Sequence, residues 1–370
     1  MYRFNAFAFT RELQNAPLRH AGLLAVVLAV PLSLAACASA PPAIQYSSLR
    51  TEEPQSIHWI DVDPTQVQLE AAVAKEQVLG KEKPSSMARR HGASAAVNGG
   101  FFVVQGPFAG DFDGLFVWNG RIVSEPVHQR ASFAFCSDGR IWIDRFSLTS
   151  TVHLGGVPME VDGINRRRSR AETVLFSPAF GPNTLNQGPE LVVAGGRIVA
   201  VTNGGSRIPA DGFVLALEEI PSGVEPGAEV RLENRLTARG SGQEIESEGC
   251  SFVSAGPALI REGRVLEDYE AESSKFGPGF SLKRHPRTAV GIRRDGSLIF
   301  VVVDGRQEGL SVGMTLPELA VFLKEQGAHE AYNLDGGGSS TMVVGGRIVN
   351  SPSDEQGERP SSDAIIIRSH

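Results

Sequence analysis

Residues 333–341 read Asn333-Leu334-Asp335-Gly336-Gly337-Gly338-Ser339-Ser340-Thr341 and lie between two apolar runs. The run that begins at Ala331 predicts a strand entering this stretch, and Met342-Val343-Val344 predicts a strand leaving it, so the polar residues should form a tight loop at a sheet end. Glycine permits close approach, and the N–H groups and hydroxyls of such a loop can bind phosphate or sugar oxygens. A hairpin loop without a ligand is the alternative. A Walker-type P-loop is excluded, because a strand follows and no Lys-Ser/Thr pair opens a helix.

Short apolar runs separated by turn pairs dominate the rest of the chain. Asn-Gly and Gly-Gly pairs between apolar runs predict type I′ hairpin turns. Four similar turns occur, at Asn119-Gly120, Gly195-Gly196, Glu262-Gly263 and Gly345-Gly346. Their uneven spacing predicts recurring hairpins and not a solenoid.

One segment has clear helical character. Thr315 is placed as an N-cap, Pro317 and Glu318 lie in the first turn, and Gly327 follows as a stop. This helix should lead into the strand before Asp335. Residues 65–79 fit either a strand with a loop or a helix, and both remain open. The sequence therefore predicts an α+β fold of mixed, mostly antiparallel sheets, rich in hairpins and with few helices, in a single large domain.

Three other segments carry polar residues at the ends of apolar runs. Asn98 follows Ala96-Val97 and offers donors and an acceptor to a sugar or phosphate, or is a turn asparagine. Arg287 leads into a strand and suits bidentate phosphate contacts, or is a surface arginine. Asp304 ends the run Phe300-Val301-Val302-Val303, although Asp-Gly is also a common hairpin signal.

In their order along the chain these segments resemble the phosphodiester glycosidase family, the domain family of N-acetylglucosamine-1-phosphodiester α-N-acetylglucosaminidase. The resemblance spans roughly residues 57–368. It rests on Asn98-Gly99-Gly100-Phe101-Phe102, Pro286 to Gly291, Asp304-Gly305-Arg306, Asn333 to Thr341, Asn350 to Asp354 and Gly357-Glu358-Arg359-Pro360. It implies a hydrolase that cleaves the glycosyl bond of a sugar-1-phosphodiester in envelope or extracellular glycans and releases sugar and a phosphomonoester.

The chemistry of that reaction assigns roles to the residues. Glycoside cleavage commonly uses two carboxylates, here Asp335 and Asp304, as nucleophile or base. Substrate and phosphate binding is assigned to Asn98, Gly99, Arg287, Thr288, Arg306, Gly336, Gly337, Gly338, Ser339, Ser340, Asp354 and Arg359. No cofactor is required, and the use of a divalent metal stays open. A non-catalytic envelope lipoprotein that binds polysaccharide is the alternative function.

The N-terminus predicts a location. A basic segment, an apolar run from Ala21 and the sequence Leu34-Ala35-Ala36-Cys37 resemble a bacterial lipoprotein signal over residues 1–36. Acylation of Cys37 would anchor the protein on the periplasmic side, and Ala38 after it favours the outer membrane. Residues 37–56 are then a tether and residues 57–370 the domain. The net charge of −7 gives no support for a nucleic-acid partner, and Cys136 and Cys250 form one disulfide or remain two buried thiols.

Overall fold

Four β-sheets dominate the computed structural model, which describes residues 42–370. The strands are, in chain order, β1 (Ile44–Arg50), β2 (Ser56–Val62), β3 (Val67–Val73), β4 (Ala95–Asn98), β5 (Phe116–Trp118), β6 (Arg121–Ser124), β7 (Ala131–Cys136), β8 (Ile141–Leu154), β9 (Val157–Glu160), β10 (Gly163–Ile164), β11 (Val174–Phe176), β12 (Gln187–Ala194), β13 (Arg197–Gly204), β14 (Gly212–Ala216), β15 (Val230–Ala238), β16 (Cys250–Ser254), β17 (Ala258–Arg261), β18 (Arg264–Val265), β19 (Arg287–Arg293), β20 (Leu298–Val303), β21 (Ala328–Asn333), β22 (Met342–Val344), β23 (Arg347–Ile348) and β24 (Asp363–Ser369). The α-helices are α1 (Pro84–Arg90), α2 (Pro278–Ser281) and α3 (Leu316–Glu325), and 3₁₀ turns lie at Ala74–Glu76, Ser274–Phe276 and Gly337–Ser339.

The strand order within each sheet shows a mostly antiparallel architecture. One sheet runs β1-β2-β20-β19-β21-β17-β18 and a second runs β10-β11-β14-β12-β13. A third runs β15-β8-β7-β16-β5-β6 with β9 paired to β8, and a fourth runs β23-β22-β4-β24-β3. Strands β10 and β11 pair in parallel, and the other strand pairs of residues 42–370 are antiparallel. The predicted α+β class with antiparallel sheets and few helices is confirmed.

Strand β20 lies inside the first sheet, between β2 and β19, and every one of its residues is apolar and buried. Val301 and Val303 face α3, where they share a core with Leu319. Phe300 and Val302 face the opposite way into the largest core, which also contains residues of β4 and β24. Burying a side chain of this size stabilises the fold by about 1.5–3 kcal/mol. The sheet is therefore held between a helix and the fourth sheet.

The four hairpin turns have the geometry that their sequences predict. Both turn residues adopt positive φ at Asn119 (47°) and Gly120 (85°), Gly195 (54°) and Gly196 (72°), Glu262 (51°) and Gly263 (73°), and Gly345 (56°) and Gly346 (75°). Two successive positive φ values define the type I′ turn, whose twist matches that of paired strands. The hairpin prediction is confirmed at all four places.

Helix α3 begins with a capping box. The Thr315 hydroxyl accepts from the N–H of Glu318 at 3.2 Å, and the Glu318 carboxylate accepts from the N–H of Thr315 at 2.9 Å. The helix ends at Glu325, and Gly327 follows with φ of 88°. The strand–helix–strand unit formed by β20, α3 and β21 then leads directly into the loop that contains Asp335, as the sequence predicts.

The structure also decides several points that the sequence left open or placed differently. Residues 65–79 contain strand β3 and a 3₁₀ turn. Cys136 and Cys250 form a disulfide that joins β7 to β16. Part of the predicted tether is ordered, because β1 pairs along its whole length with β2. The predicted signal and Cys37 lie outside the described residues. No helix of residues 42–370 is long and apolar enough to cross a membrane.

Candidate active site around Asp335

Asn98 joins three chain segments at the end of β4. Its side-chain Nδ2 donates to the backbone carbonyl of Asp335 at 2.7 Å. Its Oδ1 accepts from the Thr288 hydroxyl at 2.8 Å and from the N–H of Thr341 at 3.0 Å. The side chain is completely buried. Asn98 and Thr288, both predicted to bind substrate, therefore brace the loop that carries Asp335.

The middle of the glycine loop lies against an ion pair. Arg359 donates from Nε and Nη2 to the two carboxylate oxygens of Asp354 at 2.7 and 2.9 Å. A Cβ atom on Gly338 would lie 2.1 Å from Asp354 Oδ1 and 2.2 Å from Arg359 Nη2. Only glycine, which has no Cβ, leaves room for these two side chains at residue 338. The ion pair of Asp354 and Arg359 therefore lies directly against the loop.

A second arginine approaches the loop from the other side. A Cβ atom on Gly337 would lie 3.0 Å from Nη2 of Arg306, whose side chain is exposed. The same nitrogen lies 3.2 Å from Nδ1 of His285. Burial and the positive charges of Arg287, Arg306 and Lys283 lower the pKa of His285. The loop therefore has Arg306 at Gly337 and Arg359 at Gly338.

Asp335 is the partly exposed carboxylate of this site. The N–H of Gly336 donates to its Oδ1 at 2.9 Å. Burial raises the pKa of Asp335 to about 7, although the Ser339 hydroxyl, the Gly336 N–H and Arg359 each lower it, and the negative charge of Asp363 adds a smaller increase. A carboxylate with a pKa near neutrality can accept a proton at physiological pH, which suits a general base.

Asp363 is a functional candidate that the sequence analysis missed. It begins β24, is completely buried, and accepts from the N–H of Gly100 at 3.1 and 3.0 Å and from the Ser362 hydroxyl at 2.9 Å. A Cβ atom on Gly99 would lie 1.8 Å from its Oδ2, so this glycine is needed for the carboxylate to fit. Burial raises the pKa of Asp363 to about 6. Its position in Ser361-Ser362-Asp363, directly before the apolar run from Ala364, is the sequence signal that could have found it.

Asp304, predicted as a catalytic carboxylate, has both carboxylate oxygens in contact with other residues of the protein. Its Oδ1 accepts from Asn350 Nδ2 at 3.0 Å and from the N–H of Ser351 at 2.8 Å, and its Oδ2 lies 3.2 Å from Nε2 of His58. Its side chain is buried. Asn350 also donates to the carbonyl of Ser340 at 3.0 Å and so separates Asp304 from the loop. Both carboxylate oxygens already have partners, so Asp304 supports the loop indirectly, through Asn350.

Arg287, predicted to grip phosphate, is directed to the other face of its sheet. Its Nε donates to the carbonyl of Met314 at 3.0 Å, and its Nη2 donates to those of Phe280 and Lys283 at 2.8 and 3.0 Å. Burial and the charge of Arg306 lower its pKa to about 10. Neighbouring residues of a strand point to opposite faces, so Thr288 faces Asn98 and Arg287 faces the helix side. The guanidinium therefore ties α2 and the start of α3 to β19.

Two consecutive hydroxyls of the loop are shielded from water and have no hydrogen-bond partner in residues 42–370: Ser340 Oγ and Thr341 Oγ1. Buried polar groups are normally paired with protein or ordered water, so these hydroxyls are candidate contacts for a polar ligand of the loop. The described residues contain no group of three or more His, Cys, Asp or Glu arranged to hold a metal ion. The groups placed to contact a ligand at the loop include hydroxyls, N–H groups and the guanidinium groups of Arg306 and Arg359.

Comparison with known proteins gives the family of this domain. Residues 187–368 match the phosphodiester glycosidase family. The predicted resemblance to this family is confirmed over these residues. The matched stretch includes Asp335, Asp363, Arg306 and Arg359, whereas Asn98 precedes it.

Individual relatives cover different parts of the chain. Mouse N-acetylglucosamine-1-phosphodiester alpha-N-acetylglucosaminidase is 39% identical over 103 residues, which are 28% of this chain and 20% of that protein. The chain thus spans about a fifth of the length of this curated relative. An uncharacterized protein of Rickettsia conorii is 24% identical over 227 residues, 59% of this chain and 77% of that protein.

Solved structures share the fold. A hypothetical protein from Synechocystis superimposes with a TM-score of 0.75 at 24% identity, over 90% of this chain and 65% of that one. A Burkholderia pseudomallei protein gives 0.73 at 29% identity, over 85% and 74% of the two chains. The catalytic domain of zebrafish N-acetylglucosamine-1-phosphodiester alpha-N-acetylglucosaminidase, auto-inhibited by its pro-peptide, gives 0.51 at 19% identity, over 90% and 85%.

Proposed function

We propose that this protein hydrolyses the glycosyl bond of a sugar-1-phosphodiester. The observation that carries the proposal is the placement of Asp335, with its pKa of about 7, on a loop flanked by Arg306 and Arg359. The phosphodiester glycosidase domain over residues 187–368 supports the same reaction class. Cleavage would break the bond between the anomeric carbon and the phosphate oxygen, transfer a water oxygen to that carbon, and release free sugar and a phosphomonoester.

The leaving group gives the two arginines of the site a role. A phosphomonoester is a weak base, so neutralising its charge matters more than protonating it. Arg306 and Arg359 supply that charge, and the loop hydroxyls and N–H groups offer donors to the phosphate oxygens. Asp354 holds Arg359 in place through Nε and Nη2 and leaves Nη1 for a ligand.

Asp335 would act at the anomeric carbon. As a base it would deprotonate the attacking water and invert the configuration, whereas as a nucleophile it would form a covalent intermediate and retain it. Asp363 would hold the Gly99-Gly100 segment against the site, and its charge would add to the effect of burial on the pKa of Asp335. Asp304, Asn98 and Thr288 would fix the loop.

The test is a panel of α- and β-linked sugar-1-phosphate methyl esters, including N-acetylglucosamine, assayed for free reducing sugar and methyl phosphate. We expect release by the native protein and at least a 100-fold loss in Asp335→Asn, with the anomer of the first product showing retention or inversion. Glycan binding without any release would overturn the proposal and favour the alternative, a non-catalytic polysaccharide-binding lipoprotein.

We further propose that the substrate is an envelope or extracellular glycan and that the protein reaches it through a lipid anchor on Cys37. The support is the signal-like sequence that ends at Cys37. Cys37→Ser should move the protein from the membrane fraction to the soluble fraction of cells. Continued sedimentation with membranes after a high-salt wash would contradict the anchor.

A further inference from the structure

A pocket remote in sequence from the glycine loop is lined by most of a basic cluster, Arg166-Arg167-Arg168-Ser169-Arg170. Its volume is about 540 Å³, and its lining includes Phe108, Arg167, Arg168, Arg170, Asn186 and Gln187. We call it the arginine pocket. Its walls contain three arginines and no carboxylate, although the chain as a whole carries a net charge of −7.

The arginines of the cluster differ in how far their charge is already balanced. Arg166, just outside the pocket, is neutralised by Glu125 and Glu172, whose carboxylates bond its guanidinium. Arg167 is exposed and makes no ion pair within residues 42–370. Arg170 makes only a 3.5 Å contact with Glu218, and both side chains are largely exposed. The charge of Arg167 and Arg170 is therefore available to an anion.

Other groups of the pocket are fixed and leave donors unused. Arg168 donates from Nε to Asn186 Oδ1 at 3.1 Å and from Nη1 to the carbonyl of Arg170 at 2.7 Å. These bonds hold the backbone that carries the cluster. Asn186 Nδ2 is shielded from water and has no acceptor among the described residues. An unused amide donor in a pocket with two exposed arginines, Arg167 without an ion pair and Arg170 with only a weak one, is the arrangement that a carboxylate or phosphate oxygen would complete.

Segment 102–112 supplies part of the apolar lining of the pocket, through Pro107 and Phe108. The same segment follows Gly100, whose N–H donates to Asp363 beside the Asp335 site. The segment 102–112 closes on itself through the bridge between Phe102 and Phe112, and it starts just after Gly100. Phe108 near its tip packs against Phe180, with ring centroids 6.1 Å apart. An aromatic ring offers a flat apolar surface to the C–H face of a sugar, whereas the arginines select for its charge.

We propose that the arginine pocket binds an anionic sugar unit, either a uronate or a sugar phosphate, of the glycan that the protein acts on. The choice of a glycan rests on the proposed function, whereas the preference for an anion rests on the pocket itself. Binding there would hold an acidic polymer on the protein independently of cleavage at Asp335.

Calorimetric titration of the full-length protein with three probes tests this assignment. The probes are a hyaluronan tetrasaccharide, which carries glucuronate, N-acetylglucosamine 1-phosphate, and the neutral chitotetraose. Arg167→Ala combined with Arg170→Ala should weaken binding of a charged probe about 10- to 100-fold, and added salt should weaken native binding. Both side chains are exposed, so the melting temperature should not change. Arg121→Ala combined with Arg264→Ala is the matched control, because it removes two exposed arginines elsewhere and should leave binding unchanged.

Each outcome has a defined meaning. Arginine-dependent binding of the tetrasaccharide identifies a uronate site, and such binding of the sugar phosphate alone identifies a phosphate site. The proposal is overturned if no charged probe binds, if chitotetraose binds equally well, or if the double variant binds like the native protein. Release of sugar from a small sugar-1-phosphodiester should be unchanged in the double variant. Failure of that hydrolysis in the native protein would remove the proposed reaction and leave the binding result intact.

Discussion

The side-chain amide of Asn98 donates to the main-chain carbonyl of Asp335 at 2.7 Å, which connects the end of β4 to the loop after β21. These two strands belong to different sheets. The hydrogen bond therefore fixes the glycine loop to the junction between sheets, and not only to its own strand. Residues 237 positions apart in the chain are joined in this way.

Asn98→Ala should consequently cost both stability and activity. The change leaves the Asp335 carbonyl, the Thr288 hydroxyl and the Thr341 N–H without their partner in a buried place. Each buried group that loses its hydrogen bond costs about 1–3 kcal/mol, so we expect a loss of about 3 kcal/mol in the free energy of unfolding measured in urea. Asn203→Ala, on an exposed strand position, is the control and should change stability by less than about 0.5 kcal/mol. A loss as small for Asn98 as for Asn203 would contradict the bracing role.

Gly338→Ala should separate the loop from the ion pair between Asp354 and Arg359. The added Cβ would overlap both charged groups, at 2.1 and 2.2 Å, so one of them or the loop must move. We expect sugar release from a sugar-1-phosphodiester to fall at least 10-fold. Gly279→Ala is the matched control, because no heavy atom lies within 4 Å of the added Cβ and the backbone there is not left-handed. Equal activity of the two variants would show that the approach at Gly338 is not needed.

Local features of this fold could be predicted from the sequence. The four hairpin turns and the capping box of α3 depend on two to four neighbouring residues, so the sequence pattern contains all the information they need. The convergence of Asn98, Thr288 and the glycine loop was also predictable in outline, because each lies at the end of an apolar run.

The roles of individual side chains were not predictable in the same way. Arg287 and Thr288 are neighbours on β19, and the sequence does not say which of them faces the site. Asp304 ends a buried strand as Asp335 does, yet its oxygens are taken by Asn350, Ser351 and His58. Those partners come from distant parts of the chain, so the saturation of Asp304 depends on tertiary structure. The role of Asp363 depends on tertiary structure in the same way, since its hydrogen bond with Gly100 forms only after folding.

The two arginines Arg306 and Arg287 should give opposite patterns when mutated. Arg306 is exposed beside the loop, so Arg306→Ala should raise KM for a sugar-1-phosphodiester about 10-fold, with little change in melting temperature. Arg287→Lys should instead lower the unfolding free energy by about 2 kcal/mol, because lysine cannot reach three carbonyls with a planar fork.

An aryl glycoside of the same sugar, which lacks phosphate, is the comparison substrate. The KM effect of Arg306→Ala should be small on it. If Arg306→Ala impairs both substrates equally, the arginine does not act on phosphate.

Asp363→Asn should shift the pH dependence of hydrolysis. Asp335 must be ionised to act, so the rate of the native protein should rise with pH around a midpoint near 7. The charge of Asp363 raises the pKa of Asp335, and removing it should move the midpoint to lower pH. Asp295→Asn, at an exposed turn, is the control and should leave the midpoint in place. A profile that does not move in Asp363→Asn would contradict the electrostatic coupling of the two carboxyl groups.

Asp335→Asn should lose activity while gaining stability at alkaline pH. Asparagine keeps the volume and can still accept from the N–H of Gly336, but it cannot serve as base or nucleophile, so turnover should fall about 10²- to 10⁴-fold. A carboxyl group whose pKa is raised on folding stabilises the native state fully below its unfolded pKa of about 4, and this contribution is lost as the pH rises through about 7. The neutral variant escapes that loss. We expect it to unfold in urea at pH 8 with a free energy about 2 kcal/mol above the native protein, a figure that is limited because partial exposure of Asp335 screens its charge. The difference should be smaller at pH 4, because the carboxyl group of the folded native protein is then protonated and neutral, as asparagine is. Near-native turnover together with identical stability at both pH values would remove Asp335 from the chemistry and make the glycine loop an ordinary turn.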